Sequence, residues 1–595
     1  MTMENINVTV LYGSETGTAQ DTAEEIWINA KRNGLVCSVM AMDDYNIERL
    51  SSERVIIFVA STTGQGDPPS NMRKFWRFLL RKSHPQSLLQ NVKYAVLGLG
   101  DSSYEKYNFA AKKLNKRLVQ LGAQEMIKIA LADDQHDLGI DAVIEPWIKK
   151  IWTVISNILN IPLKSGPLLN QVIERFNVSI IQPNQLTIER ENNITKDIYR
   201  DELELNNNLK LATVIDNTRI TSSDHFQDVR LIKFTIENVD YQPGDIVYLK
   251  PKNSSKQVSD FFNLLRENNC SVTSETLLSI SSKEIKPPYC FQRPLTLQQV
   301  VEQYWDLNYK PRRSTMQILA LISDNKLEKD KLTEFSTAIG QDELYNYVNK
   351  PRRNIVEVLR DFPNTIGKLN ERNLFEVMAP IKPRAFSIAS SSKSTPHEIH
   401  LLVAVVKYKT KLMEPRLGLC SNWLASLKKG EKLVCSLQSG TFIFDGTKPM
   451  ILVGPGTGIA PFRSILLERE ATGVNLKDVL LFFGCRNQKK DFHCKQDFER
   501  LMKNNNLRFF CAFSRDQEDK IYVQHLIREQ GKVCWNLLLN GGKIYLSGNS
   551  KNMPKCVRDE FVKIAKKFGN FNDLDAENFV KNLEKCGRYQ TETWG

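Results

Sequence analysis

Histidine is scarce in this 595-residue chain, with seven copies spread widely, and the 11 cysteines include no Cys-x-x-Cys pair. No zinc or other metal constellation can be drawn from so few ligands, and an odd, unladdered cysteine set excludes a disulfide framework and suits a reducing compartment. Long apolar runs are missing as well. The longest, such as 55–60, are strand-sized, far short of the roughly 20 residues a membrane helix needs. No internal repeat or low-complexity tract occurs. A strand-like run begins near Ile6, so no cleavable leader is expected. Sequons at Asn177, Asn193 and Asn253 have no use without a secretory route. Together these absences predict a water-soluble, cytoplasmic protein with no metal and no membrane attachment.

What is present is ordinary globular composition, 41% hydrophobic and 25% charged. The net charge of +13 arises almost wholly after residue 152, and the basic residues are scattered. A scattered surplus gives no footprint for nucleic acid. The length exceeds one hydrophobic core, so three or more domains are expected. Residues 1–155 alternate apolar runs (8–12, 55–60, 94–97) with amphipathic stretches (21–32, 73–80, 109–121), the rhythm of a doubly wound parallel α/β sheet. A polar linker follows over 156–205. Period-2 strands mark an antiparallel β-barrel over 206–445, interrupted by a helical insertion at about 257–378. Strand and helix alternate again over 446–595.

Three loops follow strands of the first segment. Ser14, Glu15, Thr16, Gly17, Thr18 and Ala19 offer backbone N–H groups, hydroxyls and a helix start to a phosphate. The loop lacks the lysine of a nucleoside-triphosphate loop, so it suits a phosphate that is held rather than transferred. Ser61, Thr62, Thr63 and Gly64 form the second loop. Leu99, Gly100, Asp101, Ser102, Ser103 and Tyr104, running on through Glu105, Lys106, Tyr107 and Asn108, form the third. A flat ring system could slide between these two, although any one such turn alone is commonly a simple cap.

In the barrel, Arg384-Ala385-Phe386-Ser387 and Gly418-Leu419-Cys420-Ser421 combine a guanidinium suited to a pyrophosphate with a strand-borne aromatic. In the last segment the glycine-rich turn around Thr457 follows an apolar strand. Arg486, Ser514, Arg515, Lys520, Ile521, Tyr522, Val523 and Gln524 come later. Hydroxyl, guanidinium, ammonium and phenol on one spot suit a ribose 2′-phosphate, where an NAD site would offer a carboxylate. The bland alternative for these residues is a solvated basic turn.

On these residues the first segment resembles a flavodoxin-type FMN domain, and the rest resembles ferredoxin-NADP-reductase-like flavoproteins. The order of modules is that of the diflavin reductase family, over almost the whole chain. That resemblance implies FMN, FAD and NADPH as cofactors, and electrons moving from NADPH through FAD and FMN to a protein acceptor. It implies that Tyr104 stacks on the isoalloxazine with Asp134 nearby. Thr63 stands where many relatives carry an aromatic, leaving one flavin face more open. Phe386 replaces a usual tyrosine, losing one hydroxyl contact to FAD. Arg352, or its neighbour Arg353, would touch the FAD pyrophosphate. Trp594 would lie over the FAD ring and move aside for nicotinamide. Ser387 and Glu592 would stand near the hydride-transfer locus, with Ser547 where relatives often carry a cysteine.

Within the family the chain most resembles the branch serving cytosolic iron–sulfur protein assembly, on residues 60–69, 133–136 and 590–594. It shows neither the membrane anchor of microsomal members nor a haem domain with a calmodulin helix. The resemblance implies an iron–sulfur acceptor of the anamorsin type, served by a monomer. Two rivals stay open: a soluble diflavin reductase for another acceptor, such as a haem protein or methionine synthase, and a non-catalytic flavin-fold scaffold. Intact 384–387, Ser514-Arg515 and Trp594 speak against the second. Acids at 67, 101, 105, 133, 134 and 137 are expected to rim the exposed FMN edge.

Overall fold

The computed structural model describes residues 7–63, 66–104, 106–162, 171–181, 203, 208–282, 284–285, 287–337 and 339–594. Gly64 and Glu105 lie outside the described residues, as does most of the stretch 156–205. The chain divides into two compact units. One comprises residues up to 202 with 252–382 and 410–413; the other comprises 203–251, 383–409 and 414 onward.

In the first unit, β1 (Asn7–Gly13), β2 (Val36–Ala41), β3 (Val55–Ser61), β4 (Lys93–Gly100), β5 (Gln124–Glu125) and β6 (Ala130–Asp133) form a sheet in the order β2-β1-β3-β4, with β5 and β6 both beside β4. Every pairing is parallel. The continuous apolar run of β3 follows from burial on both faces, and residues 55–60 are fully inaccessible. Strand order reverses between β1 and β3. The loops leaving their carboxyl ends therefore diverge and open a crevice.

The same unit contains the helical insertion. Its helices Ser255–Glu267, Leu297–Gln303, Ile355–Arg360 and Glu371–Val377 all start with reciprocal capping boxes, from Ser254, Thr296, Asn354 and Asn370. Phe176–Ile180, from the stretch read as linker, joins Leu277–Ser282 and Leu295–Thr296 in a small antiparallel sheet. Two guanidiniums tie the insertion to the parallel-sheet layer. Arg175 donates to Glu376 at 2.8 Å and to Glu24 at 2.9 Å. Arg312 pairs with Asp141 and, at 3.4 Å, with Glu25. Burial pushes the Glu25 carboxyl up to about 7, against the pull of Arg312.

The second unit begins with an antiparallel barrel: β7 (Leu209–Arg219), β8 (Val229–Ile236), β9 (Ile246–Leu249), β10 (Arg384–Ser387), β11 (Glu398–Ala404) and β12 (Lys432–Gln438). The order is β10-β9-β12-β7-β8-β11. A bridge between Ile388 and Leu401 brings the two ends together. Alternate residues of β8 point inward, and Ile232, Phe234 and Ile236 join Val247, Leu401 and Leu433 in the core. Beyond it, β13 (Met450–Val453), β14 (Val479–Cys485), β15 (Arg508–Phe513), β16 (Lys543–Asn549) and β17 (Tyr589–Trp594) make a parallel sheet in the order β15-β14-β13-β16-β17. Helix Ala460–Ala471 anchors the barrel to this sheet. Buried Arg463 donates to the Ala389 carbonyl at 2.6 Å and to Asp497 at 2.8 Å, and Ser464 donates to the Ser390 carbonyl at 2.5 Å.

Candidate functional site

At the carboxyl edge of the first sheet, β1 runs into the loop 14–17 and then helix Thr18–Arg32. Gly17 holds φ 92°, a turn a side chain would strain, and the helix start carries no side-chain cap. The loop is pinned from below: the Ser14 N–H donates to Asn71, the Gly17 N–H to the Ser14 hydroxyl, and the Ser70 N–H to Glu15. Thr16 and Thr18 are exposed and Ala19 is buried. An uncapped helix start of this kind suits an anion.

The other two loops sit beside it on the same edge. Thr62 accepts from the Ala110 N–H at 3.2 Å, and Thr63 pairs with Asp67 across a tight turn. Ser61 donates to the Gly13 carbonyl, linking the second loop to the first. Asp133 accepts from the Ser102 N–H at 2.8 Å and from the Gln135 N–H at 3.0 Å, while Gln135 donates to Asp101 at 3.0 Å. Burial acts to raise the Asp133 carboxyl, but these donors outweigh it and hold it below its ordinary range. Asp101 and Asp133 thus brace the loops as well as carrying charge. Leu99 is buried, and Gly100 accepts from the Asp134 N–H. Tyr104 is half-buried in the turn that Asp101 opens, followed by Lys106. Tyr107 and Asn108 donate to the carbonyls of Leu131 and Ala132, which fixes the end of that loop to β6. Arg353 is committed to Asp361 at 2.5 Å and to the face of Tyr347. Arg352 is exposed, at φ 58°, and close enough to Lys310 to lower its ammonium further, after desolvation.

In the second unit, β10 presents Arg384 and Ala385 exposed and Phe386 and Ser387 half-buried. Helix Leu419–Ser426 starts at Gly418 without a side-chain cap, with buried Cys420 and Ser421 in its first turn. Burial raises the Cys420 thiol to about 12, and the nearby Arg384 guanidinium pulls against it. A guanidinium near an uncapped helix start is a pairing that suits a pyrophosphate.

The parallel sheet of this unit edges a cleft of about 700 Å³ whose walls include Thr457, Arg486, Ser514, Ile521, Tyr522, Val523, Gln524 and Trp594. A Cβ on Gly458 would lie 2.3 Å from the Ser547 carbonyl oxygen, so only glycine lets this turn pack onto β16. The Arg486 guanidinium stacks on Phe226 at 4.0 Å, while the Arg486 backbone N–H donates to Asp491. Arg515 and Lys520 are exposed, next in sequence to the cleft-lining Ser514 and Ile521, and neither side chain is engaged among the described residues.

The carboxylate of Glu592 accepts from the Ser387 hydroxyl at 2.9 Å and from Thr441 at 3.4 Å. Burial raises this carboxyl and the two hydroxyls pull it back. Register places Ser547 beside Glu592 and Asn549 beside Trp594. Ser547 is fully buried and its hydroxyl is unpartnered among the described residues. The four residues expected at the hydride-transfer locus therefore belong to β10 and the two adjoining strands β16 and β17. Sequence reading missed Thr441, Asn71 and His225. The last is one of seven histidines, on the β7–β8 connection; it lines the cleft, with its Nε2 3.6 Å from Asp491. None of the three sits in a motif.

Residues 10–147 match the family described as Flavodoxin, 204–423 that described as FAD binding domain, and 452–559 that described as Oxidoreductase NAD-binding domain. Fold and sites together thus define a flavoprotein oxidoreductase carrying FMN, FAD and nicotinamide-nucleotide modules on one chain. Relatives named NADPH-dependent diflavin oxidoreductase 1 align over 100% of both chains: that of Xenopus laevis at 43% identity, that of Danio rerio at 44% and that of Schizosaccharomyces pombe at 36%. The chain belongs to the NADPH-dependent diflavin oxidoreductase family. Its cofactors are FMN, FAD and NADPH, and the residues present fit them: two uncapped helix starts suited to phosphates and a roomy cleft walled by Arg486, Ser514 and Tyr522. No helix among the described residues is long and apolar enough to cross a membrane.

Proposed function

We propose that the electrons leave this diflavin oxidoreductase to an iron–sulfur protein of the anamorsin type, in cytosolic iron–sulfur cluster assembly, from a monomer in the cytoplasm. Flavins accept a hydride and release single electrons, which matches a two-electron donor to a one-electron cluster. In the first unit, loop 14–19 holds the FMN phosphate and the loops 61–64 and 99–108 bracket its ring, with Tyr104 stacked and Asp134 at the edge. In the second, Arg384 and the Gly418 helix start hold the FAD pyrophosphate. Arg486 holds the pyrophosphate of NADPH, while Ser514, Arg515, Lys520 and Tyr522 take the 2′-phosphate. Ser387 orients Glu592, whose carboxylate offsets positive charge on the nicotinamide, and Trp594 covers the FAD ring until the nicotinamide displaces it.

The observation that carries the catalytic assignment is the hydroxyl–carboxylate contact of Ser387 with Glu592, formed across 205 residues of sequence. The acceptor rests on the likeness of residues 60–69, 133–136 and 590–594 to one branch of the family. It is tested by mixing the NADPH-reduced holoenzyme anaerobically with a cytosolic iron–sulfur protein of that type and following bleaching of the cluster. Reduction well above that of a haem protein or of methionine synthase supports the reading. Preference for either of those acceptors overturns it.

A further inference from the structure

Lys382 closes the helical insertion, and its side chain reaches the first loop of the flavodoxin-type layer. Its Nζ lies 3.0 Å from both carboxylate oxygens of Asp21, in the first turn of helix Thr18–Arg32. A Cβ placed on Gly17 would come within 2.1 Å of the same nitrogen, so the ammonium rests directly on the loop backbone. The side chain is 20% exposed. Its backbone is held firmly. The Ile381 N–H donates to the Tyr304 carbonyl at 2.6 Å, the Asp306 N–H donates to the Ala379 carbonyl at 2.9 Å, and Pro380 bridges to Trp305.

This placement is electrostatically odd. A helix start carries partial positive charge and favours anions, so a lysine there is repelled unless anions surround it. Asp21 supplies one negative charge. A phosphate monoester on loop 14–19 would add a second anion and would meet Nζ beside Gly17.

We propose that Lys382 is a ligand of the FMN phosphate, delivered from the helical insertion rather than from the flavodoxin-type fold. This rests on the reading of loop 14–19 as the phosphate loop. FMN loading and seating of the insertion are then linked, because each strengthens the other by the same factor. The phosphate contact adds affinity for FMN and none for riboflavin, which lacks the phosphate.

The test uses the full chain, stripped of FMN with FAD retained, and titrated with FMN or riboflavin by fluorescence quenching. Lys382→Met should weaken FMN binding roughly tenfold or more, leave riboflavin binding unchanged, and be largely rescued by Lys382→Arg. FMN should also protect the Ile381 amide from hydrogen exchange in the wild type and not in Lys382→Met. Equal FMN affinity in wild type and Lys382→Met overturns the proposal, as does an equal loss for riboflavin. Thr16→Ala separates the two levels. If it weakens FMN and Lys382→Met does not, the loop holds phosphate without Lys382. If wild type binds riboflavin as tightly as FMN, the phosphate loop itself is misplaced.

Discussion

Removing the Ser387 hydroxyl should shift the pH dependence of hydride transfer upward. The Glu592 carboxylate receives that hydroxyl at 2.9 Å and the Thr441 hydroxyl at 3.4 Å. Burial raises the carboxyl and both donors oppose it by favouring the ionised form. A hydrogen bond to a charged acceptor contributes roughly 1.5–3 kcal/mol. Since about 1.4 kcal/mol moves a pKa by one unit, and the carboxylate is only half-buried by its surface, the low end applies. Ser387→Ala should therefore raise the titration of Glu592 by about one pH unit. The rate limb that follows ionised Glu592 moves to higher pH with it. Thr441→Val, losing a longer contact, should move the limb less, and Ser387→Thr should leave it near its original place. The assay is stopped-flow reduction of enzyme-bound flavin by NADPH across a pH series. A limb that stays put in Ser387→Ala, or moves further in Thr441→Val, would refute the reasoning.

Arg515→Ala should cost roughly 1.5–3 kcal/mol of NADPH recognition. The NADPH/NADH ratio of kcat/KM should fall by about one to two decades, and an unchanged ratio would remove Arg515 from the 2′-phosphate. Trp594→Ala should speed flavin reduction by NADH, since the indole no longer competes for the ring; unaltered NADH kinetics would leave Trp594 as an anchor of the tail through its carbonyl bond to the Ser550 N–H. Glu25, raised to about 7 by burial, titrates near 4.3 when unfolded. Its contribution to stability is complete below pH 4 and is lost as pH rises through 7, so Glu25→Gln should gain up to roughly 3 kcal/mol over wild type at pH 8 and little at pH 4. Urea unfolding followed by tryptophan fluorescence reads this difference, and an equal gain at both pH values would count against the assignment.

The sequence by itself determined the elements and singled out the loops at the carboxyl ends of their strands. Runs such as 55–60 and 450–454 became strands, and stretches such as 109–121 became helices, because apolar periodicity is a property of neighbouring residues. Ser14–Ala19 and Thr457 could be placed for the same reason: a phosphate turn is built from consecutive backbone groups between one strand and one helix. The strand Phe176–Ile180 was hidden in a polar stretch, since its partner Leu277–Ser282 is a hundred residues away and no local pattern announces the pairing. What only the tertiary structure decided is which side chains meet. Ser387 reaches Glu592 across 205 residues, Arg175 reaches Glu376 across 201, and Lys382 reaches Asp21 across 361. Such contacts follow from the order and register of strands and the packing of helices, which fix distances that no spacing along the chain encodes.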